Sequence, residues 1–449
     1  MANGKKMRFD DSLPCDKKGA KWLFLIGLFS MTQVRLGAKL GISEAFCCFV
    51  APFLFFIDLP KFRRDGVMVF FNLLILWIIG ACISDFVNHA AFWQLMRGIA
   101  VPVVVFCNSV CIYHHLRRDP HNLKWLIFGI ALSDIISIFV FQSGSAGDLA
   151  AEGDLSGAVD AVIGYKLFWS NTIITWFSLP IKCWYFSTPL LFQYVAIVVM
   201  AAASVISGGR SMFAVTCLSG LLLVIGSKSI DVIRKIHRKF PLILLAVLCL
   251  AIAVKGAYSY AAKHGYLNAE ETEKYYDQSS KGTGFLALLM SGRSEFFVGL
   301  IAALDKPLLG HGSCALDEQG YRDEFLSKYG TTEEINKALE DRQFRAQMGI
   351  RVGVIPAHSH VITYWMWHGI PGLLFWLYVL KLAIDTMWKR LAIIPEWFGY
   401  FAVVVPAWLW DYFFSPFGQR VTESMMFCAM LVLLKLEKQS KKRPMQSMY

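Results

Sequence analysis

Apolar runs long enough to cross a lipid bilayer recur along almost the whole chain, and this repetition limits the fold more than any other feature. A helix needs about 20 apolar residues to cross the hydrocarbon core, where no water is present to satisfy an open backbone. Twelve such spans are predicted, near 22–36, 40–58, 67–84, 92–113, 123–142, 161–181, 186–206, 211–226, 240–260, 361–383, 397–414 and 421–436. Charged residues make up only 17% of the chain and mean hydropathy is +0.49. Soluble domains carry about 25% charged residues, so most of this chain cannot face water. The expected fold class is all-α, a polytopic membrane protein.

The net charge of +11 raises the possibility of a nucleic-acid partner. The basic residues form no continuous reading surface, however, and none is expected. They fall in short clusters between apolar runs, as cytoplasmic loops do beside anionic lipid. Lys61, Arg63 and Arg64 form one cluster, and Arg117, Arg118 and Lys124 another. Lys228, Arg234, Lys235, Arg238 and Lys239 form the strongest. Lys389 and Arg390 follow, then Lys435, Lys438, Lys441, Lys442 and Arg443. Twelve spans with both termini cytoplasmic put every cluster on one face. The acidic stretch Asp148, Glu152, Asp154 and Asp160 then falls on the other. Without the sixth span the cluster after 226 would change sides, which is the reason to keep it.

The same parity sets residues 261–360 outside. Helices one to nine therefore occupy 1–260, an outer loop domain 261–360, helices ten to twelve 361–436, and a Lys-rich, disordered cytoplasmic tail 437–449. Within the loop a helix is predicted from Ser294 to Asp305, ended by Pro307. Another is predicted near 332–348, opened by the capping box of Thr331 and Glu334 and stopped by Gly349. The polar, basic N-terminus reads as a cytoplasmic tail, not a cleaved signal. Most of the eleven cysteines lie inside apolar runs, so no disulfide framework or CxxC metal pair is expected. Cys107 and Cys111 share a helix face, where they read as small packing residues.

Three polar sites interrupt this pattern on the outer side. Ser207-Gly208-Gly209-Arg210-Ser211 begins the eighth span. Its glycines permit close backbone approach, and a helix N-terminus offers amide donors to an anion. An Arg there opposes the helix dipole unless an anion binds or the side chain reaches lipid phosphates. Ser291-Gly292-Arg293-Ser294-Glu295 repeats the pattern, with an Arg293–Glu295 surface pair as the other reading. Two such forks could clamp a pyrophosphate. The third site is Ala357-His358-Ser359-His360, where the loop re-enters the membrane. An imidazole there can take a proton from a hydroxyl, or simply cap a helix. The neighbouring chain offers neither carboxylate nor Cys to complete a metal site, and no metal or cofactor is expected. His311 and His368 are further candidates. Arg97, Asp134 and Asp411 are ionisable residues within or at the edge of spans, costly there unless paired or functional. Arg97 could add to an anion site.

These sites, in this order, resemble the O-antigen ligase and polymerase superfamily. Gly292-Arg293-Ser294-Glu295-Phe296, continuing to Lys306-Pro307-Leu308-Leu309-Gly310-His311-Gly312, is similar to its loop motif. His358 precedes Gly369-Ile370-Pro371-Gly372-Leu373-Leu374 by the family's spacing, and Ser207–Ser211 resembles its Ser-Gly-x-Arg turn. The motifs cover roughly 200–380; elsewhere the likeness is one of topology. Ser359 stands where Asn is usual, and His368 where an acidic residue is often near. The resemblance implies a metal-independent, inverting, GT-C-like glycosyltransferase of the bacterial inner membrane with a periplasmic loop domain. Its donor would be a glycan on undecaprenyl pyrophosphate. Its acceptor would be a sugar of lipid A-core for a ligase, or a second lipid-linked glycan for a polymerase. Arg210 and Arg293 would hold the pyrophosphate, with Gly209 and Ser211 shaping that turn. His358 would be the base, supported by His360. A lipid-linked sugar transporter is the alternative outside this class. The intramembrane charges suit it, while the large outer loop and the absence of paired broken helices oppose it.

Overall fold

The computed structural model describes residues 16–30, 33–35, 39–139, 215–222, 294–330, 353–391, 397–415 and 420–446, with scattered short stretches elsewhere. Its helices are α1 (Lys17–Leu28), α2 (Ile42–Asp65), α3 (Met68–Val87), α4 (Phe92–Leu116) and α5 (Leu123–Phe139), then α6 (Ser294–Asp305) and α7 (Tyr321–Tyr329). They continue with α8 (His360–His368), α9 (Ile370–Asp385), α10 (Phe398–Phe414) and α11 (Arg420–Gln446). Ile42–Asp65, Met68–Val87, Phe92–Leu116 and Ile370–Arg390 are long and apolar enough to cross a membrane. The span expected at 161–181 lies outside the described residues, as do almost all of 186–206 and 240–260 and most of 332–348 with its capping box; 215–222, within the eighth, is helical.

The structure corrects several expectations. The first span does not reach residue 36. Phe29 closes α1, and β1 (Gln33–Arg35) pairs antiparallel with β2 (Lys39–Gly41), with Val34 opposite Leu40. The fold is thus mostly, not wholly, helical. The tail is not disordered from 437, since α11 continues to Gln446. The tenth span is not one helix. Gly369, at φ 65° and ψ −151°, separates α8 from α9, a backbone state essentially confined to glycine. Short α7 had no counterpart in the sequence reading.

Helix ends explain much of the packing. At the start of α2 the Gly41 amide donates to Glu44 Oε2 (2.8 Å). The same carboxylate receives Arg420 in a two-pronged contact, 2.8 Å on each arm, joining α2 to the start of α11. Gly66, left-handed at φ 76°, ends α2 after Arg63 and Arg64. There Arg117 Nε donates to Asp65 (2.8 Å), Lys435 Nζ to the Arg117 carbonyl (2.5 Å), and Arg390 pairs with Glu437 (2.8 Å). The basic ends of α2 and α4, the turn Thr386–Arg390 that follows α9, and the Lys435–Glu437 stretch of α11 therefore meet on one side of the bundle. Between α1 and α5 the approach is close. A Cβ on Gly27 would lie 2.7 Å from the Ile130 nitrogen, and one on Gly129 2.9 Å from the Leu28 nitrogen. Small residues let membrane helices touch in this way.

The core is aromatic. Trp77 of α3 stacks on Phe375 of α9 at 4.9 Å and meets Tyr364 of α8 edge-on at 4.7 Å. Phe49, Phe56 and Phe86, by contrast, are 75%, 74% and 81% exposed. An apolar outer surface of this kind suits lipid, not water.

Candidate functional site

α6 and α8 lie side by side. A Cβ on Gly299 would sit 2.8 Å from that of Ala357, so only glycine lets α6 come this near. Backbone bonds hold the approach to α8: Ile355 N donates to Ala315 O (2.9 Å) and Asp317 N to Gly353 O (2.8 Å). Ser359 caps α8, its hydroxyl accepting from Ile362 N (3.3 Å) and donating to the Tyr412 carbonyl (2.9 Å). The hydroxyl at this position thus ties α8 to α10. Thr363 Oγ1 donates to Ala357 O (2.7 Å). With the backbone on both sides fixed, His358 projects from the seam, half-exposed.

Its Nδ1 pairs with Oε2 of Glu295 in the first turn of α6. A carboxylate on Nδ1 fixes the ring's orientation and tautomer, and it stabilises the imidazolium formed when Nε2 takes a proton. The structure therefore brings His358 to the helix that begins one residue after Arg293. Arg293 itself, with Arg210, Gly209 and Ser211, lies outside the described residues.

The other candidates are separated from this pair by depth or by element. His360 is buried at 1% exposure. Its Nδ1 stands 3.7 Å from Glu423 Oε2, and its ring lies 5.1 Å from that of Trp376. Glu423 also accepts from Trp408 Nε1 (3.2 Å). His360 thus faces the interior of α9–α11 while His358 faces outward. Arg97 is exposed on α4 with its guanidinium 5.8 Å from the Trp93 ring. Its field also reaches Cys314, whose thiol burial pushes up while Arg97 pulls it down. His311 follows α6, and its Nε2 donates to the Ala302 carbonyl (2.8 Å). Burial holds its pKa below the ordinary histidine range, with the Ala302 bond opposing, so it is neutral at pH 7. Asp411 sits near the end of α10, its carbonyl bonded to Ser415 N (3.0 Å). The side chain of Asp134 lies outside the description.

Glu295 and Glu423 were not singled out as functional in the sequence. Glu295 was visible only as a first-turn acid or a partner for Arg293. Nothing local marked its pairing with a histidine in a distant segment. Among the described residues no three His, Cys, Asp or Glu side chains converge as a metal site. No protein-family model, no curated protein and no solved structure matches the chain.

Proposed function

We propose that the protein is an O-antigen ligase-like glycosyltransferase of the bacterial inner membrane, with twelve helices and a periplasmic loop. It moves a glycan from undecaprenyl pyrophosphate to a sugar hydroxyl of lipid A-core. The observation that carries this reading is the pair between His358, just ahead of α8, and Glu295 of α6. A carboxylate-backed imidazole, held against the helix that follows Arg293 in the chain, suits attack by a hydroxyl on a phosphate-linked sugar. The acceptor oxygen attacks the anomeric carbon from the face opposite the phosphate, and its proton passes to His358 Nε2. As the bond to the phosphate oxygen breaks, charge grows on the leaving pyrophosphate. The guanidinium groups of Arg210 and Arg293 stabilise that charge, each contributing about 3 kcal/mol in the transition state. The anomeric centre inverts. Chemistry of this kind needs no cofactor, because an activated donor supplies the leaving group.

The test is direct. Arg210→Ala, Arg293→Ala and His358→Ala should each reach the membrane at normal levels and abolish long-chain polysaccharide on a gel. Loss of the base alone should lower the rate roughly 10²–10⁴-fold. Normal chains from all three would end the proposal. Deleting the gene identifies the acceptor: a ligase leaves polymer on the carrier lipid and none on the core, whereas a polymerase leaves single units on the core.

A further inference from the structure

At the other end of α8 lies a second group of polar side chains, buried and making no direct contact with the His358–Glu295 pair. Asp85 of α3, Ser313 of the loop after α6, and His368 at the end of α8 are 1%, 1% and 0% exposed. Ser313 Oγ stands 2.8 Å from Asp85 Oδ2 and 2.9 Å from His368 Nε2, and its amide donates to Asp85 Oδ1 (2.5 Å). Trp77 Nε1 donates to His368 Nδ1 (2.8 Å). An indole N–H can only donate, so Nδ1 accepts and the ring is neutral with its proton on Nε2. That proton goes to Ser313 Oγ, and the serine proton goes to the aspartate. One arrangement of hydrogens satisfies all four side chains.

The group sits where the backbone is interrupted. The last carbonyls of α8, on Met366 and Trp367, accept from the amides of His311 (2.7 Å) and Gly312 (3.0 Å). Ile370 N, opening α9, donates to the Leu308 carbonyl (3.0 Å). The loop after α6 thus supplies the bonds the break removes, and Ser313 anchors that loop to α3. α6 is fastened to α8 at two points, by Glu295 on His358 at one end and through Ser313 on His368 at the other. There is no slack in the anchor: a Cβ on Gly98 of α4 would collide with the Ser313 side chain and come within 3.3 Å of His368 Nε2.

We propose that Asp85, Ser313 and His368 are positioning residues that hold α6 in register with α8, and so keep Glu295 against His358. The structural half stands alone; its effect on turnover rests on the glycosyltransferase reading. The test compares Ser313→Ala, Asp85→Asn, His368→Asn and His368→Gln in the full-length protein in lipid nanodiscs. Asparagine at 85 offers one acceptor oxygen where two Ser313 donors need two. Asparagine at 368 reaches the Nδ1 place but leaves Ser313 without its donor. Glutamine sets an amide N–H where Nε2 stands. Amide exchange over 294–313 should rise about tenfold in the first three and stay at the parental rate in His368→Gln. Exchange in α2 should be unchanged in all four, showing that the bundle is folded. kcat should fall at least about tenfold in the first three with the KM for lipid-linked donor held, the sign of misplaced groups. Parental exchange in Ser313→Ala and Asp85→Asn, or equal defects in both His368 variants, overturns the proposal. A parent protein that transfers no glycan defeats the catalytic reading and leaves the exchange result to decide the anchor.

Discussion

Glu295 opens α6 and His358 lies just ahead of α8, and each fixes the other across the seam. A half-exposed imidazole at the mouth of a seam can rotate and exchange tautomers freely; a carboxylate on Nδ1 removes both freedoms. Glu295→Gln keeps the shape and takes away the charge that favours the imidazolium. It should lower kcat by less than the roughly 10²–10⁴-fold expected when the base itself is removed. Because the two groups act as a unit, the Glu295→Gln/His358→Ala double variant should be no slower than His358→Ala alone. Initial rates with lipid-linked donor measure this, and additive losses would show that Glu295 acts elsewhere. His358 stood out in the sequence because an imidazole just ahead of an apolar run is chemically conspicuous. Glu295 did not, because an acid in the first turn of a helix is already accounted for by the helix dipole. The Asp85–Ser313–His368 anchor was less visible still: its members come from three segments, and burial, the feature that makes it strong, is not written in any of them.

Among the helices, those whose ends coincide with the edges of an apolar run were readable to within a few residues. α3 and α4 are such cases, and Ser294–Asp305 was placed from its turn residues alone. Hydropathy is blind to the direction of a backbone, and so it ran 361–383 together across Gly369. The available cue was the Gly-Ile-Pro order. Proline suits the first turn of a helix, and here Pro371 follows the glycine that stops α8. The break has a definite cost to any other residue. At Gly369 a side chain would meet a forbidden backbone state worth about 1–3 kcal/mol, and its Cβ would lie 2.7 Å from Leu309 Cα. Gly320 provides the control, being also left-handed at φ 75° but with nothing within 4 Å of an added Cβ. Gly369→Ala should therefore depress the thermal midpoint in detergent well below that of Gly320→Ala. Equal midpoints would mean that the break relaxes easily and that the loop after α6 does not hold it.

For the molecule as a whole, the placement of charge and of the loop are two views of one polarity. Arg64, near the end of α2, and Arg117, bonded to Asp65 and Lys435, mark one side of the bundle, where α3 begins and where Arg390 pairs with Glu437 of α11. Asp85 and Asn88, at the far end of α3, hold the loop of Gly310 and Ser313. The 20 residues of α3 separate these two ends by about 30 Å at the helical rise, which is the thickness of a hydrocarbon core. Each basic cluster within the described bundle falls at the first end and the α6–α8 seam at the second. In the proposed topology the first end faces the cytoplasm, because Lys and Arg prefer that side. A single cysteine placed at exposed Glu318 should thus react with a membrane-impermeant maleimide in intact spheroplasts. One placed at exposed Arg64 should react only after the membrane is opened, with the parent protein setting the background from its own thiols. Labelling of both positions from the same side would remove the periplasmic seam. Without it, a donor whose glycan is presented outside could not reach His358.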